Sequence, residues 1–121
     1  MSIRVDKEWG TEYWLCNEAE YCCKRLVIAV GKQCSLHFHK VKKETFIVET
    51  GQVRLQRVYN GQMIHDVVIL NPGESVTLPP VTAHRFCAMG EVGATILEVS
   101  THHDDADVVR IIPSGDKEEV W

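Results

Sequence analysis

The stretch Gly31–Gly51, GKQCSLHFHKVKKETFIVETG, constrains this chain more than any other. His37 and His39 stand two residues apart, Glu44 follows five residues after His39, and glycines bracket the segment. Alternate residues of a β-strand share a face. A strand over 34–39 therefore projects both imidazoles side by side. Lys40-Val41-Lys42-Lys43 carries three charges and reads as a turn. A strand over 44–50 then returns the Glu44 carboxylate to the same face, with Phe46 and Val48 as apolar neighbours. Two imidazoles and a carboxylate converging on one point make a site for a divalent metal of borderline softness. The alternative is a hairpin whose histidines decorate a solvent face.

The surrounding pattern is one of short strands. Residues 8–16, with Trp9, Tyr13 and Trp14, read as a strand, and 20–30 as the next. In the second, Lys24 has the parity of Leu26, Ile28 and Val30, so it points inward or snorkels to the rim. Residues 52–59 and 62–70 flank Asn60-Gly61, a two-residue hairpin signal. His65 falls in this hairpin outside any ligand spacing and reads as ordinary. Further strands are expected over 75–78, 94–100 and 107–112. No segment sustains a 3.6-residue period, and many short strands between Gly, Pro and Asn turns imply an all-β sandwich or barrel.

At 121 residues the chain suits a single domain, with a barrel core over about 8–112 and a polar tail over 113–121. A net charge of -4 argues against nucleic-acid or membrane-surface partners. No apolar run approaches the ~20 residues of a membrane span, and the first residues lack the apolar core of a signal peptide. The five cysteines form no CxxC pair and read as small hydrophobes in a reducing cytoplasm, the expected location.

The spacing G-x5-H-x-H-x4-E-x6-G resembles the first signature of the cupin superfamily at every fixed position. The second signature, G-x5-P-x-G-x2-H-x3-N, is matched by Gly73, Pro79 and His84. Val81 stands where its glycine is expected and Ala88 where its asparagine is expected, which leaves the shape of the turn before His84 open. The resemblance implies a small double-sheet jelly-roll barrel. It also implies one divalent metal ion held by His37, His39, Glu44 and His84, with one or two coordination positions open as in catalytic sites. The ligand set does not separate Zn, Mn, Fe, Ni, Co and Cu.

A narrower likeness runs over roughly 7–111. Trp9-Gly10, Tyr21, Lys24-Arg25-Leu26, Ser35-Leu36, Glu44, His84, Glu98-Val99, Asp104-Asp105 and Val109-Arg110 resemble the cupin domain of type II mannose-6-phosphate isomerases and small sugar isomerases. Where those isomerases usually carry Gln, this chain has His37. Their Tyr-Gly-Arg ending is replaced by Ile111-Ile112-Pro113, and no nucleotidyltransferase domain lies in these residues. The particular substrate is left open by these departures.

Such a likeness implies aldose–ketose isomerisation of a sugar or sugar phosphate. Candidate proton-transfer residues are Lys24, Glu98 and His102. His103 and Arg110 are candidate substrate contacts, Arg110 through a phosphate or carboxylate. Glu98 shares parity with Ala94 and Ile96, but Leu97 and Val99 are apolar too, so its direction is open. His102 and His103 can equally be loop polarity, and Arg110 can pair with Asp105 or Asp107. An Fe(II) dioxygenase and a non-catalytic sugar-binding cupin are the competing readings. A polar pocket rich in Lys, Glu and His favours isomerisation, an apolar pocket oxygen chemistry, and a pocket without a base the binder. Unpaired strand edges near 8–16 suggest a homodimer.

Overall fold

Strands and turns account for nearly all of the chain in the computed structural model, which describes residues 3–58 and 65–121. The described strands are β1 (Ile3–Lys7), β2 (Gly10–Asn17), β3 (Cys22–Ile28), β4 (Lys32–Gln33), β5 (Leu36–His39), β6 (Glu44–Thr50), β7 (Val53–Val58), β8 (His65–Leu70), β9 (Ser75–Leu78), β10 (Ala83–Ala88), β11 (Ala94–Ser100), β12 (Val108–Ile112) and β13 (Gly115–Asp116). One 3₁₀ turn, Asp105–Asp107, precedes β12. Strands β1-β2-β3-β11-β6-β9 form one sheet. Strands β12-β5-β10-β4-β13 form the other, with β7 pairing β10 and β8. Two antiparallel sheets facing each other are the expected all-β jelly roll. The expected Asn60-Gly61 turn lies outside the described residues, although β7 and β8 on either side of it do pair, Val58 opposite His65.

Cross-strand rows explain where polarity collects. The inward residues of β3, β11 and β6 line up as Ile28 opposite Ala94, Leu26 opposite Ile96, and Ile96 opposite Val48. The next rows along place Lys24 opposite Glu98, Glu98 opposite Phe46, Cys22 opposite Ser100, and Ser100 opposite Glu44. One end of the interior is thus apolar, closed by Trp9, Val53, Leu55, Leu78 and Phe86. Each large apolar side chain buried there contributes about 1.5–3 kcal/mol. The other end holds buried charges, which have to pair with one another or hold a ligand.

Three features differ from the sequence expectation. The strand expected over 8–16 is a hairpin of β1 and β2, turned at Glu8-Trp9. Gly10 follows with φ +152, where a Cβ would meet the Val27 carbonyl oxygen at 1.9 Å, so only glycine lets β2 cross β3 there. Strand β3 ends at Ile28, leaving Val30 exposed. The polar tail is docked on the sheet. Gly115 pairs with Gln33, and Trp121 stacks on the guanidinium groups of Arg54 and Arg85 at 4.1 and 4.6 Å. Among the described residues no helix is long and apolar enough to cross a membrane.

Candidate functional site

The histidines come together through register. His37 and His84 are direct cross-strand partners on β5 and β10, with ring centroids 4.6 Å apart. His39 lies two residues further along β5, on the same face, 5.2 Å from the His37 ring. One ring nitrogen from each of the three lies within 4.8 Å of the others. Glu44 enters from the opposite sheet, its Oε1 2.9 Å from His84 Nε2 and 3.6 Å from His39 Nε2.

Two of the imidazoles have their tautomers set by the backbone. His37 Nδ1 donates to the Ser35 carbonyl at 2.8 Å and His84 Nδ1 to that of Thr82 at 2.9 Å. Each Nε2 is thereby turned toward the cluster, with its lone pair free in the neutral ring. His84 Nε2 is fully buried and faces the Glu44 Oε1 carboxylate oxygen at 2.9 Å. Burial, and then the neighbouring charge of His84, lowers the His37 pKa to about 3. Burial, followed by the Lys42 charge, lowers that of His39 to about 2. Burial also opposes a charge on His84, but Glu44 outweighs it and raises His84 above the ordinary imidazole range. His37 and His39 held neutral, with His84 paired to the buried Glu44 carboxylate, fit a divalent cation that would take the place of the His84 proton.

A second cluster faces the first across one cavity of ≈ 220 Å³. Lys42 is 2% exposed. Its Nζ donates to Glu98 Oε2 at 2.6 Å and to His103 Nδ1 at 3.1 Å, and lies 3.8 Å from Glu44 Oε2. His103 Nε2 then donates to Asp105 Oδ1 at 2.8 Å. Burial pushes the Glu98 carboxyl up, but the charges of Lys42 and Lys24 hold it below its usual range. Burial lowers Lys42, and Glu98 and Glu44 more than restore it, so the ammonium persists. His103 is kept neutral by burial and by the two lysines. Lys24, also 2% exposed, reaches Glu12 at 3.4 Å and sits 4.3 Å over the Trp14 ring.

The sequence candidates divide accordingly. Lys24, Glu98 and His103 face the cavity, which settles the direction of Lys24 and Glu98. His102 does not. It is exposed, hydrogen-bonds the Glu18 carbonyl, and lies on a separate surface depression with Glu20 and Val41. Adjacent residues of an extended chain point opposite ways, so only one of the two histidines can enter. Arg110 lies at the cavity mouth, opposite His37 in register. Its expected alternative partners are occupied elsewhere. Asp105 binds His103, and the Asp107 carboxylate accepts from the backbone amides of Lys40, Val41 and Lys42 at 2.9, 3.0 and 3.0 Å.

Lys42 and Glu12 escaped sequence reading. A signal for Lys42 was present, since it has the parity of Glu44, Phe46 and Val48 and so extends their inward row. Its place in a triply charged run hid it. Of the three aromatics in 8–16, Trp9 packs in the core edge-on to Phe86, and Trp14 lies behind the cavity lining, against Lys24 and the His103 ring.

The family described as "Cupin domain" matches residues 24–100. A D-lyxose/D-mannose isomerase of Thermosediminibacter oceani is 36% identical, over 74% of this chain and 60% of its own length. A D-lyxose ketol-isomerase of a Thermofilum species is 31% identical, over 76% and 63%. The chain thus spans about three-fifths of the length of these relatives. The crystal structure of the capsular polysaccharide assembling protein CapF from Staphylococcus aureus superposes with a TM-score of 0.83 over 93% of this chain and 32% of that one, at 14% identity. A family match over more than half the residues, carried by the strands that bring His37, His39, Glu44 and His84 together, shows that this chain belongs to the cupin domain family.

Proposed function

We propose that this chain is a metal-dependent sugar isomerase that interconverts an aldose and its ketose. The observation that carries the reading is the buried Lys42–Glu98 pair, with His103 and Lys24 beside it, sharing one polar cavity with His37 and His39 of the three-histidine cluster. A cavity for oxygen chemistry on an apolar substrate has no use for two buried lysines and two buried glutamates. The relatives named as D-lyxose and D-mannose isomerases support the same reading and give the first sugars to test.

His37, His39, Glu44 and His84 would hold the cation. A divalent ion there supplies Lewis-acid polarisation of the sugar carbonyl and its neighbouring hydroxyl oxygen. The protein does the rest. Lys42 holds Glu98 Oε2, and we assign Oε1 as the base that takes the proton from one carbon and returns it to the next. The Lys42 ammonium, fixed by Asp107 through the backbone of its loop, compensates the negative charge that develops on the sugar oxygens. Lys24, oriented by Glu12 and Trp14, offers a donor to a sugar hydroxyl. Arg110 at the mouth is placed to meet a phosphate if the substrate carries one.

The test is metal analysis of the purified protein followed by D-lyxose, D-mannose and their phosphates, with oxygen uptake recorded alongside. Ketose formation dependent on added metal is expected. Oxygen consumption without ketose would overturn the reading. It carries with it a cytoplasmic setting and a homodimer. With Trp9 and Trp14 packed inward, the edge at this N-terminal end is β1, one of several described strands with a neighbour on one side only. Sedimentation at micromolar concentration should give the dimer mass, and a monomer removes that part.

A further inference from the structure

One pair of side chains takes no part in the chemistry above. We propose that Cys16 and Cys23 are a site of reversible thiol–disulfide modification, closing an intramolecular bond across β2 and β3 in response to small disulfide compounds.

The two residues are direct cross-strand partners, at a point where the register shifts between Trp14 and Cys16. Opposed residues of an antiparallel pair have Cα atoms about 4.5–5.5 Å apart, inside the roughly 4.4–6.8 Å that a disulfide spans. They also share a face. Cys22 and Lys24 are buried, so Cys23 points to the outer side of the sheet, and its partner Cys16 points there with it. Both thiols are half-buried, whereas Cys22, Cys34 and Cys87 are buried at 0%, 2% and 0% exposure. Burial also pushes the Cys34 thiol up to about 12, which makes it inert. The selection of this pair therefore rests on access and register together.

Two exchange steps balance the chemistry. The Cys16 thiolate attacks one sulfur of a small disulfide, forming a mixed disulfide and expelling one thiolate. The Cys23 thiolate then attacks the Cys16 sulfur and expels the second. Two protein thiols are oxidised, one small disulfide is reduced to two thiols, and the two Cys protons end on those thiols. Burial raises the Cys23 thiol, which suits the second, intramolecular attack better than the first. The new bond lies between two anchors of the cavity wall. Trp14 and Lys24 flank it on one side. On the other, Asn17 exchanges two hydrogen bonds of 3.0 Å with the His103 backbone.

The purified chain, incubated with oxidised glutathione and then acid-quenched, is weighed intact and mapped after alkylation. A loss of about 2 Da without adduct is expected, with the cross-link mapping to Cys16 and Cys23 and full reversal by dithiothreitol. Cys16→Ser should show no such loss and carry a glutathione adduct on Cys23 or none. The proposal is overturned by an unchanged wild-type mass, a persistent wild-type adduct, a link through Cys22 or between chains, or a 2 Da loss that survives Cys16→Ser.

Discussion

The two walls of the cavity are built in opposite ways. On the histidine wall, the hydrogen bonds that orient His37 and His84 run to carbonyls two residues away in sequence. Strand geometry alone sets those rings. On the charged wall, Lys42 reaches Glu98 across 56 residues and His103 across 61. That wall exists only when β3, β6, β11 and the loop after β11 are all in place. The orientation of each ring is therefore local, although bringing His37, His84 and Glu44 together takes both sheets, while the charged wall has even its side-chain orientations set by distant partners.

The sharpest way to break this comparison is to lose one wall at a time. His84→Ala should abolish stoichiometric metal and lower turnover by about 10³-fold or more, since it removes a proposed ligand and opens a hole beside Glu44. Glu98→Gln should bind metal normally and lower turnover by about 10²–10⁴. Metal content by elemental analysis, beside initial rates, separates them. If Glu98→Gln also emptied the metal site, the walls would not be independent.

Next in size is a stability effect confined to the charged wall. Lys42→Met removes one member of a buried ion pair and leaves Glu98 charged without its closest partner, at a cost of about 3–5 kcal/mol. The double variant Lys42→Met/Glu98→Gln should recover most of that loss, because no unpaired charge remains. Urea unfolding of the four proteins gives the cycle. Equal stabilities for the single and double variants would show that Glu98 is not held by Lys42.

The same contrast governs what the sequence could disclose. His37, His39 and Glu44 were legible because a period of two places them, and His84 because a motif resemblance supplied its spacing. The jelly roll followed from turn signals and that same resemblance. Lys24 carried a readable parity, yet parity alone cannot tell an inward lysine from a snorkelling one. What decides is its non-local partner Glu12 and the Trp14 ring. Glu98 was ambiguous because both faces of β11 carry apolar residues. His102 and His103 were indistinguishable in sequence, and only the reciprocal Asn17–His103 contact selects His103.

Acid should act on the buried imidazoles of both walls, His37 and His39 on one and His103 on the other. In the metal-free protein His37 and His39 stay neutral down to about 3 and about 2, whereas unfolded imidazoles titrate near ~6.5. Below that pH the unfolded state takes up protons that the folded state refuses. Stability present above ~6.5 is therefore lost as pH falls, by up to about 1.4 kcal/mol per pH unit for each histidine. His84 has the opposite sign. Raised in the fold, its contribution is full below ~6.5 and fades as pH rises through its folded value, so it offsets part of the loss. The Lys42–Glu98 pair, with Lys42 raised and Glu98 lowered, stays ionised across this window. A net loss of about 3 kcal/mol between pH 7 and pH 5 is expected in urea titrations with chelator present. No change between those values would mean the rings are not held neutral.

The smallest effect tests the turn that delivers His84. Val81 occupies the place where the second motif expects glycine, and it has φ +65, the left-handed region. A β-branched residue there is strained by about 1–2 kcal/mol. The turn nevertheless holds its shape, because Val81 N donates to the His39 carbonyl at 2.7 Å and the following Thr82 carbonyl accepts from His84 Nδ1. Both contacts run through the histidine wall, so the wall itself maintains the strain. Val81→Gly removes the Cβ clash, at the expense of about 0.5–1 kcal/mol of extra unfolded-state freedom and the half-buried isopropyl contact. A net gain of up to about 1 kcal/mol is expected, a rise in Tm of a few degrees, with metal binding unchanged. Val81→Ala keeps the Cβ and should show no gain. A Val81→Gly protein that melts lower than the parent would mean that the valine side chain, not the backbone, secures the approach to His84.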